Sequence, residues 1–401
     1  MVNVAILGFG TVGSGVAEVI HKNGQHISER VSNQIALKYI LDIRDFPDSV
    51  FADKIVHDFS VIERDPTVGV VVETIGGATI ALDYTRRALL AGKSVVTSNK
   101  ELVATHGYEL MQLAKEKNVS YLFEASVGGG IPILKPIRTC LAANELSEIT
   151  GILNGTTNYI LTRMIRAGLS FEEALREAQA NGYAERNPAA DIEGHDACRK
   201  ICILASLAFG RQISPDQVPT EGITSITLAD VEYARSARMK IKLLGRAIRR
   251  PSDGKVCAYV APHLVRDESP LANVEGVFNA ISVVGDAIGD VMFYGQGAGK
   301  LPTASAVVAD VMDAAKHMCY LKSNCWAAGG PDVVFSQEEI ASRWYARVTG
   351  GAPVEGARQL SGASDAAAGE TAWLTDEALR PAEVRARLAG HEVKNLYRVL
   401  D

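Results

Sequence analysis

An apolar run, Val4-Ala5-Ile6-Leu7, ends abruptly at Gly8-Phe9-Gly10-Thr11-Val12-Gly13, and a segment with helical spacing, Val12 to Ile20, takes over. A strand that stops in glycines and turns straight into a helix is half of a βαβ unit. The G-x-G-x-x-G spacing has a steric logic: Gly8 allows the tight turn, Gly10 lets a pyrophosphate approach the backbone, and Gly13 lets the helix pack closely. Phe9, Thr11 and Val12 complete this cofactor loop, and the helix N-terminus holds the phosphates. The competing reading is a glycine-rich turn with no ligand. Further β-branched runs at Ile35 to Ile43, Val68 to Val72, Ser94 to Thr97 and Val119 to Phe123 alternate with helix-compatible stretches such as Thr79 to Ala91 and Thr105 to Lys117. That alternation implies an α/β fold with a doubly wound parallel sheet. The second run ends near Asp42-Ile43-Arg44-Asp45. An acid there would bind a ribose 2′-hydroxyl and an arginine a 2′-phosphate, so NAD and NADP both stay open, with Arg44 the candidate phosphate partner.

Charge narrows the function classes. Forty-one basic against forty-seven acidic residues leave a net charge of -6, which favours neither a nucleic-acid backbone nor an anionic membrane surface. No run approaches the roughly 18 apolar residues of a membrane span, and the opening residues lack the basic and apolar regions of a secretory signal. Six cysteines without a C-x-x-C pair fit reduced thiols, so a cytoplasmic location is expected.

After Ile131 the rhythm changes, with Pro132 and Pro136 breaking it. A nucleotide-binding domain is expected at 1–131, to which a helix around 303–320 returns, capped by Thr303 after Pro302. A mixed α+β domain for substrate and dimer contacts follows at 132–302. Residues 335–401 form an appendage of different composition: the last sixty-one residues hold thirteen alanines.

Three segments carry a specific resemblance: Val95-Val96-Thr97-Ser98-Asn99-Lys100, Gly151 through Asn154-Gly155-Thr156-Thr157 to Leu161, and Gly182-Tyr183-Ala184-Glu185 running on to Lys200. Gly222-Ile223, Ile241 to Leu244 and Tyr294-Gly295-Gln296-Gly297-Ala298-Gly299 with Pro302 to Val307 fit the same pattern. Over residues 1 to about 320 the chain resembles the homoserine dehydrogenases, which interconvert aspartate semialdehyde and homoserine in threonine, methionine and isoleucine biosynthesis. The resemblance implies a Rossmann domain, a nicotinamide cofactor touching Ile75, Gly76, Ser98, Lys100 and Gly297 besides the glycine loop, and a homodimer or homotetramer. It also implies a monovalent, sodium-like ion held by Glu124 and the carbonyls of Val127, Gly129 and Ile131. Two departures stand out. Glu185-Arg186-Asn187-Pro188 has asparagine where the family has aspartate, and Asn187 is expected to cap a helix beginning at Pro188. In the tail, Arg343 to Val348 matches the first strand of an ACT-like regulatory domain, but the expected aspartate-plus-proline-glycine turn is replaced by Thr349-Gly350-Gly351-Ala352-Pro353.

Reduction of an aldehyde by hydride develops negative charge on oxygen, which an ammonium can stabilise and protonate. Asp196 and Lys200, four apart, share one helix face, while Ala197, Ile201, Leu204, Ala205 and Ala208 form the apolar stripe. Taken alone they read as an exposed ion pair; the resemblance makes Lys200 and Asp196 catalytic. It makes Lys100, which taken alone reads as a solvated lysine, a second catalytic or substrate-binding ammonium, and it makes Glu185 and Asp191, otherwise helix-start charges, partners of the substrate α-ammonium. Thr157 and the Asn154-Gly155-Thr156 turn offer hydroxyl and backbone donors for substrate, with turn structure as the equal alternative. A catalytically silent cofactor sensor would have no need of Lys100, Asp196 and Lys200 together. His195, Cys198 and Cys202 have a spacing that could suggest zinc but no fourth ligand nearby, and packing thiols are the simpler reading.

Overall fold

In the computed structural model, which describes residues 1–318, 323, 325–350 and 352–401, six parallel strands form the first sheet. They are β1 Val2–Leu7, β2 Ile35–Leu41, β3 Ile55–Val56, β4 Val68–Glu73, β5 Ser94–Thr97 and β6 Tyr121–Leu122, in the order β3-β2-β1-β4-β5-β6. That is the doubly wound order, whose direction reverses between β1 and β4, the position where ligands of such sheets bind. A second sheet is built from β7 Leu146–Ile152, β8 Met239–Arg249, β9 Val256–Arg266, β10 Phe278–Gly285, β11 Gly289–Gln296, β12 Trp344–Thr349, β13 Ala357–Gln359, β14 Glu370–Thr375 and β15 Glu392–Leu400. Its order is β11-β10-β7-β8-β9-β15-β12-β14-β13.

The helices are α1 Thr11–Val31, α2 Phe59–Arg64, α3 Thr79–Leu90, α4 Lys100–Glu116, α5 Leu134–Thr139, α6 Gly155–Ala167, α7 Phe171–Ala180, α8 Ala189–Ile192, α9 His195–Phe209, α10 Leu228–Ser236, α11 Lys300–Lys316 and α12 Pro381–Arg387. Contacts divide the chain into two compact units. One comprises Met1–Asn144, Cys202–Pro215 and Gly295–Gly329; the other comprises Glu145–Ile201, Asp216–Tyr294 and Gly330–Asp401.

In the first unit the strands are nearly continuous valine, isoleucine and leucine, as burial on both faces demands. Val4, Ile6, Val70, Val72 and Val96 pack with Val16 and Ile20 of α1 and with Val307 and Val311 of α11. Gly15 makes the helix pair possible: a Cβ there would lie 2.9 Å from the Lys300 backbone oxygen. The cap expected at Thr303 is not the start of α11. The helix begins at Lys300 after Gly299, whose φ is +125°, and Thr303 is buried in its first turn, donating its N–H to the Gly299 carbonyl. Pro302 is tolerated inside that first turn because its missing N–H has no intrahelical partner to lose, so the proline does not mark the boundary.

In the second unit residues 344–400 continue the sheet. β15 pairs in parallel with β9, Arg398 opposite His263, and β12, β14 and β13 follow in antiparallel register. A four-strand order of last, first, third, second with α12 before the last strand is ferredoxin-like, but residues between β12 and β13 form no helix; Gly351 lies outside the described residues. Val348, Trp373, Val384 and Leu388 form its local core.

His263 of β9 is fully buried, with Nδ1 2.9 Å from the Ala261 carbonyl and its ring stacked on Tyr259. Burial, with Arg246 and Arg398 nearby, pushes its pKa down to about 3. The unfolded chain therefore takes up a proton near pH 6.5 that the folded chain refuses until about pH 3, so this group costs stability progressively as pH falls through that window, by up to about 1.4 kcal/mol per pH unit. His263→Gln should flatten the loss by that one-proton slope when chemical unfolding is compared at pH 7 and pH 5; parallel curves would disprove it.

Candidate active site

The second unit gathers a buried polar cluster at the end of β7. Gly194, with φ +86°, turns the chain from α8 into α9, and the i, i+4 spacing then stacks Asp196 under Lys200. Both are buried, at 4% and 8% exposure, which removes the surface ion-pair reading. Lys200 Nζ donates to Asp196 Oδ2 at 2.6 Å and to the Leu153 carbonyl at 2.8 Å. Asn154, next along the chain, donates through Nδ2 to Asp191 Oδ1 at 2.7 Å and to Asp196 Oδ2 at 2.8 Å, while its Oδ1 caps α6 by accepting from Thr157 N–H at 2.9 Å.

Glycines let this cluster close. A Cβ on Gly222 would come within 2.1 Å of the Ile192 carbonyl, which also accepts from Ile223 N–H, so the glycine seats α8 and with it Asp191. A Cβ on Gly245 would collide with the Leu153 side chain at 2.7 Å. Thr157 is buried with its hydroxyl donating to the Asn154 carbonyl at 3.2 Å, so here it serves the turn. Glu185 is exposed ahead of α8, its backbone carbonyl accepting from Gln179. The helix expected to begin at Pro188 begins one residue later, with Pro188 itself at the cap position and Asn187 Oδ1 accepting from Ala189 N–H at 3.4 Å. Cys198 and Cys202 are buried, His195 pairs with Glu193, and among the described residues no cluster of histidine, cysteine and acidic side chains has the geometry to hold a metal.

In the first unit the glycine loop lies at the reversal point of the sheet. Gly8 has φ +90°, a Cβ on Gly13 would overlap the Gly8 carbonyl at 1.9 Å, and a Cβ on Gly10 would meet nothing within 4 Å. Close packing below and open space above is the shape a phosphate cradle needs. Gly10 caps α1 without a side chain, which leaves first-turn N–H groups of Thr11, Val12 and Gly13 available to an anion.

Asp42 accepts from Phe9 N–H at 2.7 Å and from Arg44, whose Nε lies 3.0 Å away; Arg44, with these backbone bonds, holds its carboxyl down to about 2. The Arg44 guanidinium stays largely exposed over the Phe46 ring. One strand further, buried Glu73 accepts from Ile75 N–H at 2.8 Å and Thr97 Oγ1 at 2.6 Å, and Asn99 donates to the Gly77 carbonyl while capping α4. These bonds tie the 75–77 turn to Thr97 and Asn99, which flank Ser98 and lead into Lys100, the first residue of α4. Glu73 is not among the residues expected from the sequence, although its place at the last position of an apolar strand is a signal that could have found it.

Glu124 is buried and accepts from three backbone N–H groups, Ile133 and Leu134 on Oε1 and Lys135 on Oε2, which caps α5. Burial pushes its carboxyl up, and its own N–H donates to Asp310, itself driven by burial to about 8. Gly129, with φ +54°, faces Gly297 so closely that a Cβ would lie 2.5 Å from the Gly297 carbonyl.

Comparison with known proteins agrees with this layout. The model of the homoserine dehydrogenase NAD-binding domain matches residues 8–124, and that of homoserine dehydrogenase matches residues 132–312. A homoserine dehydrogenase of Pseudomonas aeruginosa is 45% identical over 318 residues, 79% of this chain and 73% of that protein. A solved homoserine dehydrogenase from Thiobacillus denitrificans superposes with a TM-score of 0.90 at 33% identity, covering 100% of this chain and 98% of that one. A hyperthermophilic archaeal homoserine dehydrogenase in complex with NADPH covers 78% of this chain and 97% of its own, with a TM-score of 0.66 at 29% identity. By its matched domains and its fold, the chain belongs to the homoserine dehydrogenase family.

Proposed function

We propose that this chain catalyses the NAD(P)-dependent interconversion of L-aspartate 4-semialdehyde and L-homoserine, and the buried Lys200–Asp196 pair is the observation that carries the reading. A bound nicotinamide supplies the hydride in the reductive direction. The aldehyde oxygen then gains negative charge, which the Lys200 ammonium stabilises and protonates, leaving a neutral amine that recovers its proton from solvent. Asp196 keeps the amine oriented, and the low exposure of both strengthens the interaction relative to water. Asp191 and Glu185 receive the substrate α-ammonium, Thr157 shapes the turn, and Lys100 supplies a further ammonium at the carboxyl edge of the parallel sheet.

The glycine loop, Ile75, Gly76 and Ser98 would hold the dinucleotide. NADP is favoured over NAD because Asp42, the acid that would bind a ribose hydroxyl, is already bonded to Phe9 and Arg44, while Arg44 remains exposed. The archaeal relative that carries NADPH supports this choice. Arg44→Ala should raise KM for NADPH about ten- to a hundredfold and leave NADH nearly unchanged, since only the phosphate loses a charged partner; equal effects on both would remove the assignment.

The monovalent ion belongs to the same proposal. Val127, Gly129 and Ile131 are buried, and their carbonyl oxygens accept no hydrogen bond among the described residues. With the Glu124 carboxylate they make a hard-oxygen set that suits such an ion, which would fix this loop. Assembly as a homodimer or homotetramer in the cytoplasm completes the reading, supported by exposed Met292 and Tyr294 on β11. Steady-state assays with homoserine and each of NAD and NADP test it; no turnover with either overturns it.

A further inference from the structure

We propose that Asn154 is a positioning residue that couples recognition of the substrate's α-amino group to the proton-handling lysine. This rests on the reading above, in which Asp191 receives the α-ammonium and Lys200 handles the proton. The geometry is specific: one carboxamide nitrogen, with two hydrogens, donates one to Asp191 and one to Asp196, at 2.7 and 2.8 Å. Asp196 Oδ2, the oxygen that Asn154 meets, is also the oxygen that holds Lys200. The preceding residue's carbonyl, Leu153, takes a second Lys200 hydrogen. Residues 153 and 154 therefore fix the lysine from two sides, through the backbone and through the carboxylate.

An amide is the side chain this position requires. Two carboxylates sharing one small volume repel, and a neutral donor placed between them lowers that repulsion without adding charge. The other end of the same amide caps α6, so the group cannot rotate to exchange its donor and acceptor ends without losing a helix cap. Binding of an ammonium at Asp191 would draw on the carboxylate that Asn154 bridges, and the change reaches Asp196 through a single side chain. Substrates that lack the amino group would leave this relay unused, which gives the site a means of reading amino-acid substrates beyond affinity alone.

Asn154→Asp is nearly isosteric and still accepts from Thr157 N–H, so capping survives, but a carboxylate cannot donate to both acids. A third negative charge raises the pKa of the neighbouring acids and of Lys200 alike. For homoserine oxidation, where the lysine must act as a base, both effects move the acid limb of the kcat/KM profile to higher pH, by about one unit. We expect kcat/KM for homoserine at neutral pH to fall about ten- to a hundredfold, with KM for the cofactor unchanged. Asn154→Ser, which keeps a capping oxygen and has one hydroxyl hydrogen for two acceptors, should lower kcat/KM without the upward shift, and it carries the test if the aspartate variant does not fold. Variants that unfold like the parent and keep its pH profile and homoserine KM would overturn the assignment. The parent's own turnover is the control: its absence would defeat the functional reading, whereas an active parent beside an unchanged Asn154→Asp defeats only the role of Asn154.

Discussion

Lys200→Ala is expected to lower turnover with homoserine by about 10²- to 10⁴-fold, the range that a positioned general acid or base supplies. Affinity for the cofactor should stay near that of the parent, because the glycine loop and Arg44 belong to the other compact unit. The substitution removes more than a charge. Asp196 is buried and loses the ammonium that Lys200 placed against it at 2.6 Å, so some stability should go as well, and a folding control is essential. Lys200→Met fills the volume while the ammonium stays absent, which removes any contribution from a cavity, and it should be as inactive as the alanine variant. Asp196→Asn should reduce turnover by less if its task is orientation, since an amide oxygen can still accept from the ammonium. Single-turnover measurements would show the loss in the chemical step rather than in product release. Near-native turnover of Lys200→Ala would return the pair to a structural role.

The parts of this picture that were legible in the sequence share one property: each depends on residues close together along the chain. The strand, glycine turn and helix at Val4 to Ile20 announce themselves by periodicity, and Asp196 and Lys200 by their i, i+4 spacing. What was hidden depends on pairs far apart. Nothing local distinguishes Asn154 as a bridge between Asp191 and Asp196, thirty-seven and forty-two positions away. Asp42 looked like a free acid for a ribose until its carboxylate proved to be bonded to Phe9 N–H, thirty-three residues earlier. The start of α11 differs from the sequence expectation for the opposite reason. Proline and threonine gave a strong local signal at 302 and 303, but the close approach of Gly15 to Lys300 places the preceding turn within the packed helix. Burial was the other hidden quantity, since an i, i+4 ion pair has the same pattern on a surface as in a core.

The C-terminal segment carries the other large expected effect, on stability. Asp230 of α10 is fully buried and lies against the sheet of residues 344–400. Its Oδ1 accepts from Tyr345 Oη at 2.8 Å and Arg347 Nε at 2.9 Å, and its Oδ2 from Asn395 Nδ2 at 2.8 Å and from the Thr227 hydroxyl at 2.8 Å. Arg347 is itself buried, with Glu370 as its second partner. Because Tyr345, Arg347 and Asn395 are all buried where they donate to it, Asp230→Ala should cost about 3–5 kcal/mol, the range for breaking a buried pair by removing one member. Replacing both members, as in Asp230→Leu with Arg347→Met, should cost less than the sum of the single changes, because neither member of the pair is then left charged opposite a missing partner and only Glu370 loses its guanidinium. Equilibrium unfolding in urea of the two singles and the double would give that coupling, and additive costs would refute it. The same contacts decide what truncation does. A chain ending at Gly330 would expose the edge of β9 that β15 now covers and strand Asp230 without Tyr345, Arg347 and Asn395. An uncovered strand edge beside a carboxylate stripped of three of its donors favours aggregation, so the shortened chain should be recovered insoluble or unfolded. A soluble, active product would show instead that residues 331–401 can be removed without cost to the sheet they extend.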